Sequence, residues 1–339
     1  MPPIDLRHRL LPLSFADAPL SRRRFLASLG LLAGASTIAP LLSRLGSARA
    51  DTVESSRAGL GTWIRIAALD RDPARAARAV RHAFAAIDRV DAQMSIHRAT
   101  SQLSSVNRLA GDAGAVVDAD VLDVVERAIA ASARSGGIYD PTVLPLMRLY
   151  RFYGEDDHRF PSDREIGAAL ERVSYRRIAI DRARGSLALE RSGAGLDLGS
   201  IGKGWAVDRA VDALRACGIR AGLVDVGGNV FGLGTPDASA AGWSVAVLHP
   251  VTKQVDRVFL LRDQAVATSG NYEQYRILSG VRVGHLFDAR RGRPAEGHLS
   301  ASVVAPTGVE SDVMSTAAFL LGPSGFGNWP RALDVHFIG

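Results

Sequence analysis

The 339-residue chain has one cysteine, Cys217, and only two lysines, Lys203 and Lys253, among 41 basic residues. A single cysteine excludes an intramolecular disulfide and any metal site built from several thiolates. Cys217 falls at the end of a predicted helix, before Gly218, where an inert, half-buried thiol is expected. The shortage of lysine beside so much arginine and alanine reads as compositional bias and carries no functional information. The chain also lacks a clean run of about 20 apolar residues, so no membrane-spanning helix is expected. Its net charge of +6 is not a nucleic-acid footprint. The first fifty residues hold seven arginines against Asp5 and Asp17, and the remaining 34 basic and 33 acidic residues nearly cancel. Nucleic acid is therefore no expected partner. With 47% hydrophobic and 22% charged residues the chain is neither disordered nor fibrous, and it is long enough to bury a sizeable core.

The basic N-terminus has the layout of an export signal. Ser21-Arg22-Arg23-Arg24-Phe25-Leu26 precedes a moderately apolar run, Ala27 to Leu42, and then Ser47-Ala48-Arg49-Ala50. A charged region, an apolar region and a small-x-small site predict a signal peptide over 1–50, cleaved before Asp51. The paired arginines and the weakly hydrophobic run, with Gly30, Gly34, Ser36 and Thr37, resemble a twin-arginine signal. An uncleaved anchor is the alternative, opposed by Pro40 and the small polar residues. The expectation is a periplasmic protein, not membrane-spanning after cleavage, with 51–339 as its functional domain.

Thr62 to Leu69 alternates like a strand, and Pro73 to Val90 carries apolar residues at helical spacing with Pro73 in the first turn. Ala119 to Ser135 reads as a helix ending at Gly136-Gly137. Arg176 to Asp181 and Ser186 to Arg191 read as a hairpin, and Pro161 to Glu165 as a surface loop. A helix from Gly202 to Cys217 is followed by a strand, Ala221 to Val226. Short strands are expected at Trp243 to Leu248, Arg257 to Leu261, Ala265 to Thr268, His285 to Phe287 and Ala301 to Val304, and a last helix from Val309 to Leu321. This mixture argues for an α+β fold rather than a doubly wound sheet.

Five segments place polar residues inside apolar surroundings. Gln93-Met94-Ser95-Ile96-His97-Arg98 with Ser101 to Asn107, read alone, is a helix end and a capped turn. Gly136-Gly137-Ile138-Tyr139-Asp140-Pro141-Thr142-Val143 is a tight turn able to approach a ligand. In Asp197-Leu198-Gly199-Ser200-Ile201-Gly202-Lys203-Gly204-Trp205-Ala206-Val207-Asp208, glycines lead into a helix whose first turn carries Lys203. Free N–H groups there suit a phosphate, although the spacing is neither a Walker loop nor GxGxxG. Ala267-Thr268-Ser269-Gly270-Asn271-Tyr272 is followed by His285-Leu286-Phe287-Asp288 and Arg290 to Pro294, which alone is a strand with a basic turn. In Ala305-Pro306-Thr307-Gly308-Val309-Glu310-Ser311-Asp312-Val313-Met314-Ser315-Thr316, Asp312 and Thr316 share one helix face. They are hard oxygen donors compatible with Mg²⁺, or, read alone, ordinary features of a helix start.

Taken together and in this order, the five strings resemble the ApbE family of FAD:protein FMN transferases, from about Gly61 to Gly322. The resemblance implies a single compact, T-fold-like domain with mixed or antiparallel sheets and flanking helices. It implies transfer of FMN from FAD to a Ser or Thr hydroxyl of an acceptor flavoprotein, with Mg²⁺ and release of AMP. Carried to this chain, Asp312, Thr316 and the main-chain carbonyl of Gly202 become metal ligands. Met94, Ile138, Tyr139, Asp140, Gly199, Trp205 and Phe287 become flavin contacts, Lys203 a pyrophosphate contact, and His285 the general base. Many relatives have alanine at the position of Gly202, a change that costs a backbone ligand nothing, and many have Trp-Gly-Phe-Gly near Tyr150 to Gly154, so rim contacts to the adenine or the acceptor are expected to differ there. Relatives usually continue through a longer terminal helix and strand, so a shortened C-terminal face is also expected. A twin-arginine signal on a chain of this size resembles the accessory factor of nitrous oxide respiration, which implies a membrane-bound regulator or redox-pump subunit as acceptor. FAD hydrolysis to FMN and AMP, or a non-catalytic flavin carrier, are the alternative functions.

Overall fold

The computed structural model describes residues 38–40, 51–153, 159–272, 274–327 and 334–339. The predicted signal peptide, apart from 38–40, lies outside the described residues. Seventeen strands are described: β1 (Ile38–Pro40), β2 (Asp51–Gly59), β3 (Thr62–Asp70), β4 (Ala115–Val116), β5 (Ile178–Asp181), β6 (Ser186–Leu189), β7 (Ala221–Val226), β8 (Asn229–Leu233), β9 (Trp243–Leu248), β10 (Val255–Leu261), β11 (Gln264–Gly270), β12 (Tyr275–Leu278), β13 (Val281–Gly284), β14 (Phe287–Asp288), β15 (Arg293–Pro294), β16 (Ser300–Ala305) and β17 (Asp334–Ile338). The α-helices are α1 (Pro73–Met94), α2 (Gln102–Arg108), α3 (Ala119–Arg134), α4 (Leu144–Leu149), α5 (Asp163–Leu170), α6 (Gly202–Ala216) and α7 (Gly308–Phe326).

Seven strands form one sheet in the order β17-β16-β11-β8-β7-β3-β2, every neighbouring pair antiparallel. Alternation along the strands divides their side chains between two cores. In β3, Ile64, Ile66 and Ala68 enter the larger core with α1, α6 and α7. Ala67 and Leu69 of the same strand join Leu223, Val230 and Val266 on the opposite face, under Trp243, Val245, Phe259 and Leu261 of the β9–β10 pair. Helices therefore cover one face of the sheet and a small second sheet covers the other. The expected α+β domain with antiparallel sheets is the observed one.

The helices α1 and α7, which flank the site, start where the sequence provides a cap. Asp72 accepts from the amides of Ala74 and Arg75, Pro73 fits the first turn, and Ala76, Ala79, Val80, Ala83, Phe84, Ile87, Val90 and Met94 make the buried stripe of α1. Thr307 caps α7 by accepting from the Glu310 amide. The segment 161–165, read from sequence as a loop, instead opens α5: Ser162 and Glu165 form a reciprocal capping box. Tyr175–Arg177 is a 3₁₀ turn, so β5 begins later than expected, and the strand expected at His285 to Phe287 is reduced to Phe287–Asp288. The C-terminal strand β17 pairs with β16 at the sheet edge.

Candidate active site

Two helix starts meet at the centre of the site. The loop into α6 is shaped by Asp197, whose Oδ1 accepts from the Gly199 amide at 2.8 Å while its own amide donates to the Pro141 carbonyl at 2.8 Å. The loop is thereby tied to the Asp140-Pro141-Thr142 turn. Ile201 offers no side-chain cap to α6, so the positive end of that helix faces groups from elsewhere. One is Asp312 of α7, whose Oδ2 accepts from the Gly204 amide at 2.8 Å. Lys203 reaches back to donate to the Gly199 carbonyl at 2.9 Å.

In return, α6 caps α7. The Asp208 carboxylate accepts from the amides of Gly308 at 2.6 Å and Val309 at 3.0 Å. Burial pushes its acid up to about 6 against these stabilising hydrogen bonds. The helices cross in backbone contact, because a Cβ on Gly204 would lie 2.1 Å from the Gly308 carbonyl oxygen. Only glycine at both positions permits this approach.

On the next turns of α7, Asp312 and Thr316 are 3% and 4% exposed. Ser269 Oγ on β11 lies 3.0 Å from Thr316 Oγ1 and 2.8 Å from Ser315 Oγ. Among the described residues no three His, Cys, Asp or Glu side chains cluster as a metal site. A cation here would therefore be held by one carboxylate together with hydroxyl and carbonyl oxygens. That hard-oxygen set fits Mg²⁺. Asp312 Oδ1 has no hydrogen-bond donor among the described residues, which leaves a carboxylate oxygen for a cation.

Tyr139 and His285 bring the remaining segments in. Ser200 Oγ donates to the Tyr139 hydroxyl at 3.2 Å. Burial raises the pKa of that phenol well above its usual value, the Ser200 hydrogen bond opposes this, and the nearby Asp312, Asp140 and Asp197 raise it further. Tyr139 is thus a neutral phenol among carboxylates. Tyr153 donates to Asp197 Oδ2 at 2.8 Å, and His97 meets the Tyr153 ring edge-on at 5.4 Å.

His285 Nδ1 lies 3.1 Å from the carbonyl oxygen of Gln274. A carbonyl only accepts, so Nδ1 carries the proton and Nε2 keeps its lone pair. Burial lowers the pKa of the ring to about 4 against the hydrogen bond to Gln274, which raises it, with Lys203 lowering it further and Asp197 raising it. Near neutral pH the side chain is an uncharged imidazole with a free basic nitrogen, within the field of the α6 loop.

Residues 60–336 match the model of the ApbE family. The chain belongs to the ApbE family. It is accordingly an enzyme of the transferase class. It is 32% identical over 292 residues to the FAD:protein FMN transferase of Treponema pallidum, covering 81% of this chain and 80% of that one. It is also 32% identical over 271 residues to the Salmonella typhimurium protein of the same name, covering 78% and 77%. Among solved structures, the flavin transferase ApbE of Vibrio cholerae superposes with a TM-score of 0.76 at 27% identity, covering 85% of this chain and 94% of that one. The ApbE protein of Thermotoga maritima gives 0.74 at 28% identity, covering 82% and 89%.

Of the residues that the ApbE resemblance singles out, Gly199, Gly202, Lys203, Asp312 and Thr316 lie on the two facing helix starts and α7, with Tyr139 beside them. His285 lies within the electrostatic reach of Lys203 and Asp197. Ile138 ties this region to the segment after β14, since its carbonyl accepts from the Ala289 amide at 3.1 Å. Met94 is buried at the end of α1. Three other residues have side chains engaged within the protein. The Asp140 carboxylate accepts from Thr142 N at 2.8 Å, Thr142 Oγ1 at 2.6 Å and Tyr175 N at 2.8 Å. The Trp205 ring lies under the guanidinium groups of Arg209 at 4.4 Å and Arg127 at 5.8 Å. Phe287 packs against Tyr150 at 4.9 Å and Phe152 at 5.9 Å, so the segment that departs from the usual family pattern supports it. Sequence reasoning gave no role to Asp197, Asp208, Ser269 or Tyr153. The first three stand inside the strings quoted above, but their partners Tyr153, Gly308 and Thr316 are 44 or more residues away.

Proposed function

We propose that this ApbE-family transferase moves FMN from FAD to a Ser or Thr hydroxyl of an acceptor flavoprotein and releases AMP. The observation that carries the reading is His285, a neutral imidazole whose Nδ1–H is held by Gln274 and whose Nε2 is left as a base beside the α6 loop. The start of α6 and the Lys203 ammonium attract the pyrophosphate, and the tight Gly199–Gly202 turn lets backbone approach it closely. His285 Nε2 takes the acceptor hydroxyl proton as its oxygen bonds to the FMN-side phosphorus and the bond to the AMP oxygen breaks. Asp312, Thr316 and the Gly202 carbonyl are the groups that would hold Mg²⁺, which supplies charge neutralisation at the phosphate oxygens. Asp208 and Gly204 hold α7 against α6 so that the carboxylate and the phosphate-binding loop keep their spacing.

The N-terminal pattern supports export by the twin-arginine route, cleavage before Asp51 and a periplasmic site of action. The corresponding acceptor is a subunit of a periplasmic or membrane-bound redox complex, such as a regulator of nitrous oxide respiration.

The test is incubation with FAD, Mg²⁺ and a periplasm-facing flavoprotein domain, following acceptor mass and AMP together. An FMN-sized mass gain matched by AMP and abolished by EDTA is the expected result. AMP with free FMN and no labelled acceptor would make the enzyme an FAD pyrophosphatase. Tight FAD binding without AMP would make it a carrier.

A further inference from the structure

The loop that leads into α6 has to receive an anionic pyrophosphate, yet it carries a carboxylate of its own. The charge of Asp197 reaches the His285 ring together with that of Lys203. A carboxylate free to turn toward the phosphates would repel them and compete for the same donors. Both of its oxygens are instead taken. Oδ1 accepts from the Gly199 amide at 2.8 Å, and Oδ2 accepts from the Tyr153 hydroxyl at 2.8 Å. The first bond is local, a turn contact between residues two apart. The second comes from 44 residues away and needs a tyrosine held in one place.

Several elements hold it there. In the segment after α4, the Phe152 amide donates to the Met147 carbonyl at 2.9 Å, and Arg276 of β12 donates to the Phe152 carbonyl at 3.3 Å. The Phe152 ring meets Phe287 edge-on at 5.9 Å. From beyond the end of α1, the His97 ring closes edge-on against Tyr153 with the centroids 5.4 Å apart. Burial, the charge of Asp197 and the hydrogen bond to it push the Tyr153 phenol well above its usual range. Near neutral pH it is therefore a donor and never a second anion beside the loop. A hydrogen bond to a charged acceptor is of the strong kind that fixes a side chain's orientation. We propose that Tyr153 is a positioning residue for the transfer reaction, which holds Asp197 turned onto the Gly199 amide so that the entry to α6 keeps the shape and field that receive the FAD pyrophosphate. Its effect passes through Asp197. The proposal rests on the transferase reading for the identity of the ligand.

The test is a double-mutant cycle of Tyr153→Phe and Asp197→Asn on the purified enzyme, with FAD, Mg²⁺ and a periplasm-facing flavoprotein domain prepared without flavin. AMP release and acceptor labelling give kcat and the KM values for FAD and for acceptor. Tyr153→Phe removes one hydroxyl bonded to a charged group and should raise KM for FAD about tenfold or more. KM for acceptor should stay within twofold of wild type. A partly unfolded sample would behave differently, lowering kcat and leaving both KM values in place. In the Asp197→Asn background the same change should alter KM for FAD at most about threefold, because only a neutral contact is left to lose. A KM for FAD within twofold of wild type in Tyr153→Phe would overturn the proposal. So would a tenfold loss repeated in full in the Asp197→Asn background, which would show that Tyr153 acts without Asp197. The transferase reading fails separately: AMP with free FMN and no labelled acceptor would refute it, and the cycle would still be read from AMP release. If the wild type binds FAD without turnover, the same cycle is read from calorimetric Kd values, and an enzyme that does not bind FAD would sink both.

Discussion

Replacing Gly204 with alanine should disable the protein by forcing apart the two helices that carry the site. The new Cβ would sit 2.1 Å from the Gly308 oxygen, 2.6 Å from the Gly308 carbonyl carbon and 2.7 Å from Asp312 Cβ. Two of these neighbours are backbone, so no side-chain rotation relieves the clash, and α6 and α7 must part by roughly 1 Å or more to restore normal contact. Overpacking of this kind costs about 3 kcal/mol. Separation also lengthens the Gly204 N–H to Asp312 bond, now 2.8 Å, a charge-assisted contact worth about 1.5 kcal/mol or more. The sum is about 4.5 kcal/mol, or a fall in Tm of roughly 10–15 °C for a domain of this size. Gly202→Ala, two residues away, is the control. Its Cβ meets nothing within 4 Å, so stability should be unchanged or rise by about 0.5 kcal/mol. Thermal melts followed by circular dichroism, with AMP release measured on the same samples, compare the pair. Equal melting of Gly204→Ala and wild type to within about 2 °C would refute the close-packed helix crossing as the reason for both glycines.

His285→Gln should lower labelling of acceptor by about 10²–10⁴-fold while FAD binding is retained, and stopped-flow labelling against equilibrium FAD titration separates the two. The His285 ring titrates near 4 when folded against an ordinary 6.5, so its contribution to stability is complete above pH 6.5 and is lost as pH falls through 4. Denaturant melts of wild type and His285→Gln between pH 4 and 7 should therefore converge in acid. Asp208 has the opposite sign: its acid sits at about 6 against 3.8, so its contribution is complete below pH 3.8 and is lost as pH rises through 6. Asp208→Asn should remove that slope, and Asp208→Ala, which leaves two helix amides uncapped, should cost about 2 kcal/mol or more by urea denaturation. Asp312→Ala should abolish metal-dependent transfer while weakening FAD binding much less; a variant labelling acceptor at nearly the wild-type rate would show that the carboxylate holds no required cation.

Much of this protein could be read along the chain because local chemistry determined it. The helix α1 follows from Asp72, Pro73 and an apolar stripe at helical spacing. The strand β3 follows from alternation that serves two cores at once. The motif strings were legible for the same reason, since tight turns and helix starts demand particular residues in sequence. The Ser162–Glu165 capping box was equally local, and reading that segment as a loop overlooked it. Other elements had no such signal. β2 (Asp51–Gly59) is mostly polar and becomes a strand by pairing along its whole length with β3. β12 and β13 are four residues each and exist as a ribbon because one face finds the Phe287 cluster. Only the tertiary structure decided that Asp208 caps α7, that Gly204 touches Gly308, and that Ser269 meets Thr316. Each is a contact between distant segments, and the energy that selects it comes from packing α6 and α7 on the sheet. The sequence by itself named the chemical groups, because their identities are local. The three-dimensional packing decided which groups face the substrate and which, like Trp205, Asp140 and Phe287, have side chains occupied in holding the site together.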